Sequence, residues 1–148
     1  MGRYLGVDLH RNNFTVCTLS ENNRRYLSSW QLKDLDRFKS NLRSTDEIAV
    51  EVTGNTRLFY EAVAPKVIRV VIVNPRQFKV ISKSVNKTDK NDARQLALFL
   101  SKGLLPEVRM KDKAHAQLSS LTQTRDKLVK LRTALKNKIN NILSSYGI

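Results

Sequence analysis

Five short apolar segments, and the connections between them, constrain the fold of this chain more than any other sequence feature. The five have strand-like composition and span residues 4–9, 14–19, 25–32, 48–52 and 67–73. The first three are separated by polar, Asn-rich pieces suited to hairpin turns, so we expect three antiparallel strands. The last two are separated by a helical pattern, so we expect crossovers to parallel strands.

Helical patterns occupy the connections after the third strand. The four predicted helices span residues 35–42, 56–64, 75–84 and 88–102. Asp34 is a candidate cap for the first and Thr88 for the fourth, while Pro65 stops the second and Gly103 closes the fourth. The order βββαβαβ, followed by helices, predicts an α/β fold of the ribonuclease-H-like (RuvC-like) kind, in which helices flank a mixed five-stranded sheet.

Residues 111–148 have a different pattern from residues 1–110, and we expect them to form a long separate helix. No Gly or Pro occurs between Lys113 and Ser145, and apolar residues recur there at the heptad spacing typical of a coiled coil. The apolar stripe consists of Leu118, Leu121, Leu128, Leu131, Leu135, Ile139 and Ile142. Because the other faces are basic, we favour a helix for dimerisation or inter-domain contact over one packed back on its own domain.

Basic charge is concentrated in the C-terminal part of the chain. The net charge is +14, of which residues 1–64 contribute +1 and residues 65–148 contribute +13. This excess predicts a polyanionic partner, because each basic group that meets a phosphate releases counterions. Nucleic acid is the leading candidate. An anionic membrane surface fits less well, because the basic helices lack a broad apolar face with interfacial aromatics.

Several classes of protein and site are excluded by what the sequence lacks. It has no run of about 18 apolar residues that could span a membrane, and its polar N-terminus does not resemble a signal peptide, so we expect a cytoplasmic protein. Cys17, the single cysteine, lies in a strand-like run and is expected to be a buried thiol. His10 and His115 lack the spacing of metal ligands, although His10 lies near the acids considered next.

Four acidic residues stand out from their surroundings: Asp8, Glu51, Asp89 and Asp92. Asp8 and Glu51 interrupt apolar strands, where a carboxylate is costly unless it is paired or binds a metal. The first and fourth strands are adjacent and parallel in the predicted fold, so these two acids are expected to lie side by side. Asp89 and Asp92 are three residues apart at a helix start and project from one face.

Each of these acids has a structural explanation when it is taken alone, such as a favourable place at a helix N-terminus. Four acids that converge on one sheet edge repel one another, and divalent cations relieve that repulsion. All-oxygen ligation suits Mg²⁺ or Mn²⁺. Two such ions about 4 Å apart would activate an attacking hydroxyl and stabilise the leaving oxygen of a phosphodiester. The four acids are therefore candidate metal ligands and catalytic residues.

Basic residues flank the last two acids and form a candidate nucleic-acid-binding surface: Arg76, Lys79, Lys83, Lys87, Lys90 and Arg94. Those at positions 79, 83 and 87 are spaced four apart, which places them on one helical face if the segment is helical. Cations that bind a phosphate backbone beside acids that bind a metal suit phosphate chemistry on nucleic acid. A solvated charged face is the alternative.

Four sequence pieces resemble those of the DEDD transposases, the RuvC-like transposases of bacterial and archaeal insertion sequences, which are related to the Piv-type DNA invertases. The pieces are GVD at 6–8, VEVTG at 50–54, VNPRQ at 73–77 and KTDKNDAR at 87–94. The resemblance extends to the final helix, with its ending YGI at 146–148. Two departures are present: His10-Arg11 replaces the more usual small polar and lysine residues, and Asn55 replaces a second glycine.

The resemblance implies a Mg²⁺-dependent DNA transposase or site-specific recombinase in which Asp8, Glu51, Asp89 and Asp92 form the DEDD tetrad. The family has a further C-terminal domain with a proposed serine nucleophile, and some members are guided by a bridge RNA. That domain is not among residues 1–148, so we expect the catalytic part of a larger transposase, acting on DNA as a homodimer or higher oligomer. Two alternatives stay open: a stand-alone junction-resolving nuclease, and a non-catalytic module that binds nucleic acid and dimerises.

Overall fold

A five-stranded mixed sheet organises the first compact unit of the chain, residues 1–110. The computed structural model describes residues 2–82, 88–110 and 112–148, with only the backbone described for residues 79–82. The strands are β1 (Tyr4–Leu9), β2 (Asn13–Leu19), β3 (Arg25–Gln31), β4 (Glu47–Glu51) and β5 (Arg69–Val73). Their spatial order is β3-β2-β1-β4-β5, in which β1, β2 and β3 pair antiparallel and β1, β4 and β5 pair parallel. This topology confirms the predicted α/β, ribonuclease-H-like fold class.

Helices cover both faces of this sheet. They are α1 (Leu35–Ser40), α2 (Thr56–Val63), α3 (Pro75–Ser82) and α4 (Asp89–Ser101). On one face, Phe38 of α1 and Phe59 of α2 join a buried cluster with the sheet. On the other face, Phe78 of α3 and Leu96 of α4 join a second buried cluster. The sheet is thus the middle layer of a three-layer core.

The side chains of β1 alternate between these two faces. Leu5, Val7 and Leu9 belong to the cluster built with α1 and α2. Successive residues of a strand point to opposite faces, so Gly6 and Asp8 face α4. Cys17, on the neighbouring strand β2, is 1% exposed and packs on the α4 side, which confirms the predicted buried thiol.

Gly6 allows α4 to lie directly on β1. A Cβ atom added at Gly6 would lie 2.1 Å from the carbonyl oxygen of Ala93 and 2.4 Å from the amide nitrogen of Ala97. Both alanines are buried, and no larger side chain separates the helix from the strand at this point. The contact sets the N-terminus of α4 beside the C-terminal end of β1. Thr88 accepts a hydrogen bond from the backbone N–H of Asn91 (3.2 Å), which confirms Thr88 as the cap of α4.

An ion pair joins the two residues that precede β1 and β4. The guanidinium of Arg3 donates to both carboxylate oxygens of the fully buried Asp46, at 3.0 and 2.6 Å. Burial raises the pKa of Asp46, but hydrogen bonds from Arg3 and from the backbone N–H of Arg43 outweigh it and lower the pKa below its usual range. The carboxylate is thereby held ionised at the end of the β1–β4 pair that lies opposite Asp8.

Some element boundaries differ from the sequence predictions by a few residues. β3 and α2 end early because 3-10 turns follow them, at Leu32–Asp34 and Ala64–Lys66. β5 begins at Arg69 rather than at 67, and α1 ends at Ser40 rather than at 42. Asp34 immediately precedes α1, but its side chain makes no capping hydrogen bond, so the predicted role of Asp34 is wrong.

The second compact unit, residues 111–148, contains one long helix, α5 (Lys113–Ser145). Its 33 residues follow Asp112, whose side chain accepts a hydrogen bond from the backbone N–H of His115 (2.9 Å). None of the residues of α5 is buried, and the seven residues of the apolar stripe are between 47% and 69% exposed. None of the described helices, α5 included, combines the length of a membrane span with the hydrophobicity that a span requires.

The contact at Gly6 can be tested with an alanine. In Gly6→Ala the new Cβ meets backbone atoms of α4 well inside van der Waals distance, so we expect the free energy of unfolding to fall by about 1–3 kcal/mol. Gly54→Ala is the matched control, because a Cβ there meets nothing within 4 Å. Urea denaturation measures both. Equal stability of the two variants would contradict the proposed close contact.

Candidate metal centre

Asp8 is the most buried of the four predicted acids. It is the fifth residue of the six-residue strand β1 and is 9% exposed, beside α4. Burial raises the pKa of Asp8 above its usual range; the neighbouring His10 lowers it, and the charges of Asp89 and Asp92 raise it further. Ionisation of Asp8 is therefore less favourable here than in water, and a nearby cation would favour it.

His10 lies between two of the predicted acids. Its Nε2 atom is 3.2 Å from Oδ2 of Asp8 and 3.2 Å from Oδ2 of Asp89. The three side chains offer ligand atoms that all lie within 4.8 Å of one another, which makes them a possible metal-binding group among the residues that the structure describes. Asp89 is the first residue of α4, so the close packing of α4 on β1 brings its carboxylate to Asp8.

Asp92 and Glu51 lie next to this group. Asp92 is half-buried one turn along α4 from Asp89, and its charge raises the pKa of Asp8. Glu51 ends β4, and the parallel register pairs Val7 with Val50, the residues just before Asp8 and Glu51. Alternation along the two strands then puts both acids on the same face of the sheet. Neither Asp92 nor Glu51 belongs to the group whose ligand atoms lie within 4.8 Å.

The loop after β4 holds the loop after β1 in place. The side-chain amide of Asn55 donates to the backbone carbonyls of His10 (3.0 Å) and Arg11 (2.8 Å). The hydroxyl of Thr56 accepts from the backbone N–H of Thr53 (2.6 Å) and donates to the carbonyl of Glu51 (3.0 Å). These bonds fix the backbone at His10 and at Glu51, whose side chains belong to the candidate site.

The donor set fits a divalent cation. Neighbouring ligands of an octahedral ion with bonds of about 2.1 Å are roughly 3 Å apart. The two 3.2 Å separations between His10 and the carboxylates are close to that value. A cation would also favour the ionised form of Asp8, whose pKa burial raises. The described residues thus offer two carboxylate oxygens and one imidazole nitrogen for a metal.

Comparison with known proteins identifies the family of this chain. A family model described as a transposase, for DEDD transposases of the IS110 type, matches residues 5–148. The chain belongs to the DEDD transposases. The transposase for insertion sequence element IS1111A from Coxiella burnetii (strain RSA 493 / Nine Mile phase I) is 28% identical to it over 151 residues. That alignment covers 99% of this chain and 40% of the relative, so the chain spans less than half of the relative's length.

The predicted nucleic-acid-binding surface of this DEDD transposase chain is described in part. Arg76 is exposed at the start of α3, where its backbone N–H donates to the side chain of Asn74 (2.9 Å). Lys90 and Arg94 are exposed and four residues apart on α4, which places them on one helical face near Asp89 and Asp92. The side chain of Lys79, all of Lys83 and Lys87, and the predicted end of α3 at residue 84 lie outside the described residues.

The sequence indicated some residues of this candidate site and gave others no role. It placed Asp8 and Asp89 together, and the structure brings their carboxylates to one imidazole. It placed His10 near the acids but gave it no ligand role, because no second histidine stands at a metal-ligand spacing. It also gave Asn55 no role, although an amide in the turn after a strand is suited to bonding a neighbouring loop.

Proposed function

We propose that this chain carries the metal-binding catalytic part of a DNA transposase or recombinase. The proposed ligands of one or two divalent cations, Mg²⁺ or Mn²⁺, are Asp8, Glu51, Asp89 and Asp92. The observation that supports the proposal best is the approach of Asp8 and Asp89 to one shared point at the end of β1. Membership of the DEDD transposases supports the same assignment.

The proposed role of each acid follows from the strand or helix that carries it. Asp8 and Glu51 stand on the rigid sheet and fix the position of the site, whereas Asp89 and Asp92 stand on α4 and complete it. When bound, divalent cations supply Lewis-acid activation of a hydroxyl and neutralise charge on a phosphodiester. The four carboxylates of the site would hold these cations at the edge of the sheet. The exposed basic side chains of the same region would hold a DNA backbone at this edge of the sheet.

The proposed partner is DNA. Lys90 and Arg94 are exposed on α4, the helix that carries Asp89 and Asp92, and Arg76 is exposed at the start of α3. Most of the net charge of +14 lies in residues 65–148, which include all three. Each phosphate contact contributes to an affinity that falls steeply with salt. A guide RNA presents the same phosphates, so separate binding measurements with DNA and with RNA are needed to distinguish the two.

The proposed role of α5 is self-association. The seven residues of the apolar stripe are about half or more exposed along it, and four of them recur every seven residues. Such a stripe is stabilised when a second helix covers it. A homodimer or higher oligomer through α5 would bring two copies of the metal centre to one DNA target. A coiled coil is the simplest structure that covers the whole stripe.

Calorimetric titration with Mg²⁺ and Mn²⁺ tests the metal centre directly. We expect wild type to bind, and Asp8→Asn, Glu51→Gln and Asp92→Asn each to weaken binding by roughly tenfold or more, because each loses a charged ligand. Asp36→Asn and Glu61→Gln are matched controls, because both carboxylates are exposed on other helices. Absence of binding by wild type, with and without branched DNA, would contradict the proposal. Cleavage of branched DNA by this chain alone would indicate a junction-resolving nuclease instead.

Sedimentation measures the proposed self-association. The double variant Leu128→Lys and Leu135→Lys puts two charges into the apolar stripe, and we expect it to weaken association by on the order of tenfold or more. The control pair, Thr133→Lys and Asn137→Lys, adds the same charge on the opposite side of the helix. If both pairs sediment like wild type, association through this stripe is excluded.

A further inference from the structure

We infer that His10 is a ligand of the bound cation and makes this centre select Mn²⁺ over Mg²⁺. The inference rests on the proposed function, since it takes Asp8 and Asp89 as ligands of the same ion. It goes beyond a set of four carboxylates, because it adds a nitrogen donor and therefore a preference between metals.

The position of the His10 side chain supports a ligand role. Its Nε2 atom lies at the same distance, 3.2 Å, from one oxygen of Asp8 and one oxygen of Asp89. One ion can contact all three atoms, because adjacent ligands of a six-coordinate cation are roughly 3 Å apart. His10 is also accessible to solvent, with 45% of its side chain exposed, so an ion can reach it.

The backbone of His10 is fixed from two sides. Its N–H donates to the carbonyl of Asn13 (2.9 Å), which closes the turn between β1 and β2. Its carbonyl accepts from the side-chain amide of Asn55, which also bonds Arg11. A ligand held in this way needs little reordering when the metal binds. Asn55 is therefore a positioning residue for His10.

The nitrogen donor of His10 explains the preference for Mn²⁺ over Mg²⁺. Mg²⁺ is held mainly by oxygen ligands and keeps several of its waters. Imidazole suits first-row transition metals, and the affinity of a site with nitrogen and oxygen donors rises from Mn²⁺ onward through that series. Mn²⁺ accepts carboxylates as well, so two aspartates and a histidine suit it better than they suit Mg²⁺. The expected class of cofactor is thus a divalent first-row metal, with Mn²⁺ as the probe.

Calorimetry with Mn²⁺ and with Mg²⁺ on wild type, His10→Ala and His10→Asp tests this selection. We expect His10→Ala to bind Mn²⁺ roughly tenfold more weakly, with a smaller loss for Mg²⁺, so that the ratio of the two affinities falls. His10→Asp restores a ligand but offers oxygen, and we expect it to bind both ions with a lower Mn²⁺ preference than wild type. His115→Ala is the control, because that histidine lies on α5 and should leave both affinities unchanged.

Pulsed electron paramagnetic resonance of bound Mn²⁺ gives a second readout. We expect coupling to a coordinated nitrogen in wild type and in His115→Ala, and its loss in His10→Ala. In Asn55→Ala we expect weaker nitrogen coupling and a partial fall of the affinity ratio, because the loop that carries His10 loses two hydrogen bonds.

The outcomes separate this inference from the proposed function. If Asp8→Asn removes Mn²⁺ binding while His10→Ala keeps both the affinity ratio and the nitrogen coupling of wild type, the inference fails and the carboxylate centre stands. If His10→Ala binds Mn²⁺ more tightly than wild type, His10 competes with the metal for the carboxylates and the inference fails. If neither Asp8→Asn nor His10→Ala changes metal binding, both proposals fail.

Discussion

The close packing of α4 on β1 is the contact on which the rest of this structure depends. Gly6 has no side chain, so the backbone of α4 at Ala93 and Ala97 lies directly on the strand. The contact buries apolar surface on the α4 face of the sheet and also sets where the helix begins. Because β1 ends next to Asp8 and α4 starts with Asp89, packing that stabilises the core also forces two like charges together. The fold therefore contains an electrostatic cost that a cation would offset.

Much of this arrangement could be predicted from the sequence, because it follows from local periodicity. Strand-like segments and the turns between them gave the order of the elements, and alternation along β1 and β4 put Asp8 and Glu51 on one face. A heptad pattern without Gly or Pro gave the bounds of α5. Thr88 before an acidic first turn gave the start of α4. In each case the deciding signal lies within a few residues of the feature that it predicts.

The features that escaped prediction depend on residues distant in the chain. Asn55 bonds the carbonyl of His10 across 45 positions. Its place in a turn suits a bond to a neighbouring loop, but no local pattern indicates which loop that is. His10 meets Asp89 only because α4 packs on β1, and spacing rules for metal ligands consider histidines near one another in sequence. The 3-10 turns that shorten β3 and α2 are a smaller case, since the strand and helix patterns continue into residues that fold differently.

The stability of Asp8→Asn relative to wild type, measured with and without Mn²⁺, tests most directly whether the fold holds its carboxylates together for a metal. Burial and the charges of Asp89 and Asp92 raise the pKa of Asp8, so its ionised form lowers the stability of the metal-free protein at neutral pH. Without metal, we expect Asp8→Asn to unfold at higher urea concentration than wild type, by on the order of 1 kcal/mol. With Mn²⁺ at about 100 times its dissociation constant, wild type should gain about 2.7 kcal/mol and become the more stable protein. Wild type that is more stable without metal, and gains no more from Mn²⁺ than the variant does, would contradict this account.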